Sequence, residues 1–296
     1  MALDTEFRFL RKPLNPLIFA TTHQLRVRPT ISGEYRVINL QLSGEEGFTP
    51  PGVKDFDLPP IVESLPYLTK VNLLVFLAVI LISVFFVASS RKAAVVPGKM
   101  QFAGELVYGF IRNGIAKDIL GPEFMRFVPY LFSLFTFVLV NNVFAIVPFL
   151  QFSSMMHVGF PYALAILTYL VYHFVGMKKQ GVGHYLKGIA FMPGVPKPIY
   201  ILLTPIELAT FFVVRPFTLG LRLFSNMFAG HLLLLVFILG GEYLLEGSIG
   251  LKLVAPFSFV LGIGLTFFEF MVQCLQAYIF TLLSALYIAG SLADEH

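Results

Sequence analysis

The chain has 296 residues, 57% of them hydrophobic and 13% charged, with a formal net charge of +4. A soluble domain carries about 25% charged residues, so this composition excludes an ordinary water-soluble enzyme and points to an all-α polytopic membrane protein. The lone Cys274 lies in an apolar run, which leaves no disulfide framework or thiolate metal site.

Residues 1–60 are polar and Pro-containing, with a weak strand-like alternation between Gln24 and Leu42 that breaks at Ile38 and Asn39. They are expected to form an extramembrane, extracytoplasmic and partly disordered segment, with residues 61–296 as the helical membrane domain. The first thirty residues hold no apolar run of signal-peptide length, so insertion is expected to rely on the first span. The basic amphipathic presequence of an organelle protein is also missing, which favours a bacterial plasma membrane.

The first expected span is 71–88, between Lys70 and Arg91-Lys92. From Val96 to Leu120, apolar Phe102, Leu106, Val107, Phe110 and Ile111 are set against Gln101, Glu105, Arg112, Asn113 and Lys117. That pattern predicts an amphipathic interfacial helix. A second span is expected over 127–150, carrying Asn141-Asn142, and a third over 162–176. A basic loop, Lys178 to Lys197, follows.

Two longer apolar stretches remain, at about 199–239 and 253–289. A forty-residue helix is about 60 Å long, twice a hydrocarbon core of about 30 Å. Each stretch is therefore either two short spans with a buried turn, which Pro216 and Gly220 permit, or one steeply inclined helix. Without a polar run between the halves, the inclined hairpin is favoured, giving five membrane passes. Arg91, Lys92, Lys99, Arg112, Lys117 and Arg126 follow span one, and Lys178, Lys179, Lys187 and Lys197 follow span three. The intervening loops lack lysine and arginine, so the N-terminus is expected outside and the C-terminus in the cytoplasm.

Between Ile201 and Leu251 the basic side chains are Arg215, Arg222 and His231. An ionisable residue within a span is a functional hypothesis by default. On an ideal helix Arg215, Thr218, Arg222 and Asn226 share a face, and His231 lies about 13 Å further along, on roughly the opposite side. On the last helix Glu269, Gln273 and Gln276 share a face, with Tyr287 three turns below Gln276. If Gln276 is level with Arg222, His231 and Glu269 reach a similar depth. An imidazole and a carboxyl exchange protons near neutral pH, whereas arginine keeps its proton and interrupts a proton wire. Arg215 reads as an inner-side anchor or phosphate contact. Glu207 either pairs with Arg215 or lines an inner path, and His157 and His173 read as incidental. No metal spacing, nucleotide loop, cofactor motif or basic aromatic patch for nucleic acid is present.

Arg215-Pro-Phe-Thr-Leu-Gly-Leu-Arg222-Leu-Phe-Ser-Asn226-Met-Phe-Ala-Gly-His231, with Gln276-Ala-Tyr-Ile-Phe-Thr-Leu-Leu-Ser-Ala-Leu-Tyr287, resembles the a subunit of the F-type ATP synthase membrane sector. The resemblance covers about residues 61–292. It implies a non-catalytic stator subunit with two proton half-channels, facing a ring of c subunits that carries the moving carboxylates. Peripheral-stalk b subunits and the lipid bilayer are the other implied partners. Arg222 falls on the family's essential arginine, Gln276 on its facing glutamine and Asn226 on an outer-channel asparagine. His231 and Glu269 occupy positions where some relatives have glutamate and histidine in the reverse order. Thr218, Glu207 and Tyr287 are candidates for the inner half-channel. Ser225 replaces a common glycine, and Ala145 means that span two offers no carboxylate at that point. The competing function is a secondary cation/proton transporter using Arg222 and Glu269 as its own site, although no internal repeat of the kind such transporters show is visible.

Overall fold

The computed structural model describes residues 50–52, 56, 69–91, 94–190 and 199–293. The expected extramembrane segment and the strand-like alternation within it lie almost wholly outside the described residues. Helix α1, Lys70–Ser90, starts where the Thr69 hydroxyl accepts from the Asn72 amide at 3.4 Å. Val71, Leu74 and Ala78 bury one stripe, while Phe76, Ile80 and Val84 face outward, as suits a helix bordered by lipid on its other sides.

Helix α2, Lys99–Ile111, runs through a π turn, Arg112–Lys117, and a last turn, Asp118–Leu120 (α3). Gly121, with φ of 59°, then redirects the chain through a 3₁₀ turn into α4, Phe124–Val143. Glycine has no Cβ to oppose this left-handed backbone. The expected amphipathic helix and second span are thus a helical run of 45 residues with a kink at Gly121. Phe102, Leu106 and Phe110 face away from the protein, while Gly104 lies against Ser89 of α1.

The second span ends seven residues earlier than the expected boundary at 150. Residues 144–150 form turns instead, because Pro148 has no amide with which to continue a helix. Helix α5, Gly159–Gln180, is longer than the expected third span, and Gly181 ends it with φ of 81°. The expected basic loop is not all loop. Val182–Ala190 forms a further helix, α6, whose Tyr185 is buried against α5 while Val182, Leu186 and Lys187 face out. Residues 191–198 of that loop fall outside the described ones.

Helix α7, Tyr200–Ala209, a π turn over Thr210–Val214 and α8, Arg215–Glu246, follow without an intervening loop. Helix α9, Ile249–Leu292, pairs with α8 across a two-residue turn, Gly247-Ser248. The inclined-hairpin expectation holds. The possible break near Pro216 is a π turn in a continuous path, with Pro216 in the first turn of α8 where its missing amide costs little. Forty-four residues give α9 a length of about 66 Å, so it can lie within a bilayer only at a steep inclination.

Among the described residues, five helical runs are long and apolar enough to cross a membrane, and no strand occurs. α4, α5, α8 and α9 form the core around Leu131, Val138, Ala165, Leu219, Leu223, Met227, Ala277 and Ile288. Association of helices in lipid relies on close packing and hydrogen bonds across them. Tyr130 Oη lies 2.9 Å from Thr168 Oγ1, which lies 3.4 Å from Ser284 Oγ, linking α4, α5 and α9. The last carbonyls of α9 are satisfied from α5. Lys179 Nζ donates to Leu292 O at 2.9 Å, and Gln180 Nε2 donates to Ser291 O and Ala293 O.

Gly176 of α5 is the point of closest approach to α6, where a Cβ would overlap the Tyr185 ring. The Gly176→Ala variant is expected to push α6 off α5 at a cost of about 1–3 kcal/mol. A lowered midpoint of thermal unfolding for the detergent-purified protein checks this.

Candidate functional site

The hairpin separates two environments along α8. Val214, Phe217, Leu221, Arg222, Ser225, Ala229 and Leu233 form an exposed stripe, continued on α9 by Phe267, Phe268, Met271 and Leu275. Arg222 is the charged member of that stripe, and its guanidinium forms no hydrogen bond or ion pair with any described residue. At a bilayer midplane such a charge costs about 2.5–3.5 kcal/mol on insertion scales. Among the described residues, none offsets that cost.

His231 lies on the opposite side of α8, 5% exposed, and faces Glu269 of α9, also 5% exposed. Nδ1 of the imidazole is 4.0 Å from Oε1 of the carboxyl. The sequence placed the two at a similar depth only on the condition that Gln276 is level with Arg222; the structure brings them together. The contact is longer than a hydrogen bond but within reach of proton exchange through one water. Gln273, one turn along α9, donates from Nε2 to the same Oε1 at 3.3 Å. His231 Nδ1, Glu269 Oε2, Gln273 Oε1 and Asn142 Oδ1 are buried without partners among the described residues. Such a cluster of spare polar atoms in a helical core suits exchangeable protons and water. Phe56 reaches this end of α8, its ring centroid 4.9 Å from that of Phe228 and 6.0 Å from that of His231.

The pair of asparagines ties α4 to its neighbours. Asn142 Nδ2 donates to the Gln273 carbonyl at 3.3 Å, and Asn141 Oδ1 accepts from Ser154 Oγ at 2.8 Å. Gln276 is buried, and Asn226 is half-buried on the Arg222 side of α8. Neither hydrogen-bonds to Arg222, so the glutamine expected to face the arginine makes no direct bond to it here. The Thr218 hydroxyl is turned into its own helix, donating to Val214 O at 2.7 Å.

At the other end of α8, Glu207 and Arg215 line one cavity of about 190 Å³ together with Gln180, Tyr185, Phe211 and Gly290. They form no ion pair. The Arg215 guanidinium lies over the Phe211 ring at 4.2 Å and the Tyr287 ring at 5.4 Å instead. The π turn before Arg215 alters the local hydrogen-bond ladder, and the Phe211 carbonyl accepts from Tyr172 Oη at 3.2 Å.

Sequence reasoning passed over His173, which proves to be 7% exposed within this aromatic cluster. Its ring stacks on Phe212, and its Nδ1 lies 3.1 Å from Tyr185 Oη. The available signal was the Tyr169–Tyr172–His173 spacing on one side of α5, but its partners on α6 and the π turn came from distant sequence. His157 stays half-buried beside Phe152. Among the described residues, no cluster of histidine, cysteine, aspartate or glutamate has the makings of a metal site.

Fold and site together define a helical membrane protein that presents, from a long hairpin, an arginine with no partner among the described residues, with a buried imidazole–carboxyl pair behind it. A model of the ATP synthase A chain family matches residues 71–289. The chain is 46% identical over 263 residues to "ATP synthase subunit a" of Nocardioides sp. strain JS614, covering 85% of this chain and 95% of that protein. It is 47% identical over 264 residues to the protein of the same name from Pseudarthrobacter chlorophenolicus, covering 86% and 97%. For the Streptomyces lividans protein the identity is 39% over 254 residues, covering 84% and 90%. The chain belongs to the ATP synthase subunit a family.

Removing the Ser154 hydroxyl, in Ser154→Ala, leaves Asn141 Oδ1 buried without its donor. A loss of about 0.6–1.7 kcal/mol is expected, read as a lower thermal midpoint with no change in the pH dependence of proton flux.

Proposed function

We propose that this chain is the proton-channel stator subunit of an F-type ATP synthase, carrying protons through two offset half-channels to and from carboxylates on a rotating c-ring. The observation that carries this reading is the placement of Arg222, exposed and without a partner among the described residues, on the apolar face of the α8–α9 hairpin. A buried or membrane-facing cation calls for an anion, and a carboxylate of a neighbouring c subunit supplies one.

In the proposed mechanism, a ring carboxylate beside Arg222 is held ionised by the guanidinium. Leaving that position for lipid requires neutralisation, because an ionised carboxylate is strongly disfavoured in hydrocarbon. The proton arrives through the outer half-channel, where His231 and Glu269 relay it past Asn226 toward the ring, with Gln276 on the same helix as Glu269. Arginine keeps its proton, so Arg222 blocks a direct path to the inner half-channel. That second path opens at the cavity of Glu207 and Arg215, with Thr218 and Tyr287 on its route.

In this reading the subunit catalyses no bond chemistry itself. It sits in the bacterial plasma membrane with the N-terminus outside and the C-terminus in the cytoplasm, against the c-ring and peripheral-stalk b subunits. The alternation of loop charge supports that orientation.

Two substitutions test the mechanism in the assembled complex. Arg222→Ala is expected to abolish gradient-driven ATP synthesis while the complex still assembles; synthesis at the normal rate overturns the reading. His231→Leu or Glu269→Leu alone is expected to lower proton flux by about 100-fold. The paired exchange His231→Glu with Glu269→His keeps one acid and one imidazole in the same place and is expected to recover most of the flux.

A further inference from the structure

Glu269 is the only carboxyl in the middle of α9, and one of its oxygens carries both of its close contacts. Oε1 accepts from Gln273 Nε2 at 3.3 Å and lies 4.0 Å from His231 Nδ1, whereas Oε2 has no partner. The carboxyl orientation that brings Oε1 toward the imidazole is therefore the one that Gln273 holds.

Gln273 is itself fixed on both sides. It is 1% exposed, among the largest fully buried side chains of the chain. Its backbone carbonyl accepts from Asn142 of α4 at 3.3 Å, which sets the height of this turn of α9 against the neighbouring helix. Gly230, adjacent to His231 on α8, completes the space, since a Cβ there would come within 3.6 Å of the Glu269 side chain.

An apolar residue of the same volume would satisfy packing at position 273. An amide at this depth leaves Oε1 buried without a donor, a cost that a purely structural role does not explain. Resting on the proton-relay reading above, we propose that Gln273 is a positioning residue for Glu269: its side-chain N–H orients the carboxyl toward His231 and stabilises its ionised form during each transfer. Among the described residues, the groups facing Glu269 are titratable His231 from α8, neutral Asn142 from α4 and Gln273 from α9 itself, while Arg222 lies about 13 Å from His231 along α8 and on its opposite side.

A donor hydrogen bond favours the ionised carboxyl. Its removal is therefore expected to move the pH midpoint of proton flux upward by about 0.5–1 pH unit, the range that a single hydrogen bond within a membrane supports.

The test is passive proton flux through the complete membrane sector in liposomes, measured against pH. Four chains are compared with the unaltered one: Gln273→Met, which keeps length and loses the donor; Gln273→Asn, which keeps the amide but is one methylene too short; Glu269→Gln alone; and Gln273→Met combined with Glu269→Gln. Both single variants at position 273 are expected to show the upward shift, so either one suffices if the other does not assemble. The double variant is expected to match Glu269→Gln alone, since Gln273 acts through Glu269. An unshifted profile in an assembled Gln273→Met or Gln273→Asn complex overturns the proposal, as does a further loss in the double variant. If Glu269→Gln by itself leaves flux and pH profile normal, the relay reading fails instead, which separates the two claims.

Discussion

The arrangement of this protein depends on a charge that no described residue neutralises. Arg222 interrupts an apolar stripe on the outer face of α8, where no described residue offers it an acceptor. A few kcal/mol of insertion cost at such a position are tolerable in a helix packed as extensively as α8 is against α9 and α5. In the proposed function the missing anion comes from a second polypeptide, so that coupling to the ring rests on the energetics of one side chain.

The rest of the fold works to hold that side chain and the pair behind it in register. α9 is anchored near its middle by Asn142 of α4 and at its C-terminus by Lys179 and Gln180 of α5. Tyr172 pins the π turn from which α8 departs. These bonds run between helices, where lipid supplies no competing donors or acceptors and no hydrophobic force draws helices together. The two halves of the site therefore sit at fixed heights, and the helix rise of about 1.5 Å per residue converts sequence spacing directly into depth.

That conversion explains what could be read without coordinates. The opposition of His231 to Arg222 followed from counting residues along one straight helix, and the similar depth of His231 and Glu269 followed once Gln276 was taken as level with Arg222. The absence of any polar run within 199–239 made the inclined hairpin legible, and loop charges gave the expected orientation. Several features escaped because they depend on contacts that periodicity does not encode. The pairing of His173 with Tyr185 needed α6 to fold back across Gly176. The failure of Glu207 and Arg215 to form an ion pair reflects the nearby Phe211 and Tyr287 rings, which occupy the guanidinium instead. Gln273 stood on the expected face, yet its bond to Glu269 depends on rotamers set by three helices.

The most direct measurement is an experimental structure of the assembled membrane sector, resolving the surroundings of the Arg222 guanidinium. The account predicts that it points out of this subunit, with a ring carboxylate as its nearest anion and no carboxylate of its own chain bonded to it. A guanidinium turned inward and satisfied within its own helices, or one facing bulk solvent away from the ring, contradicts it.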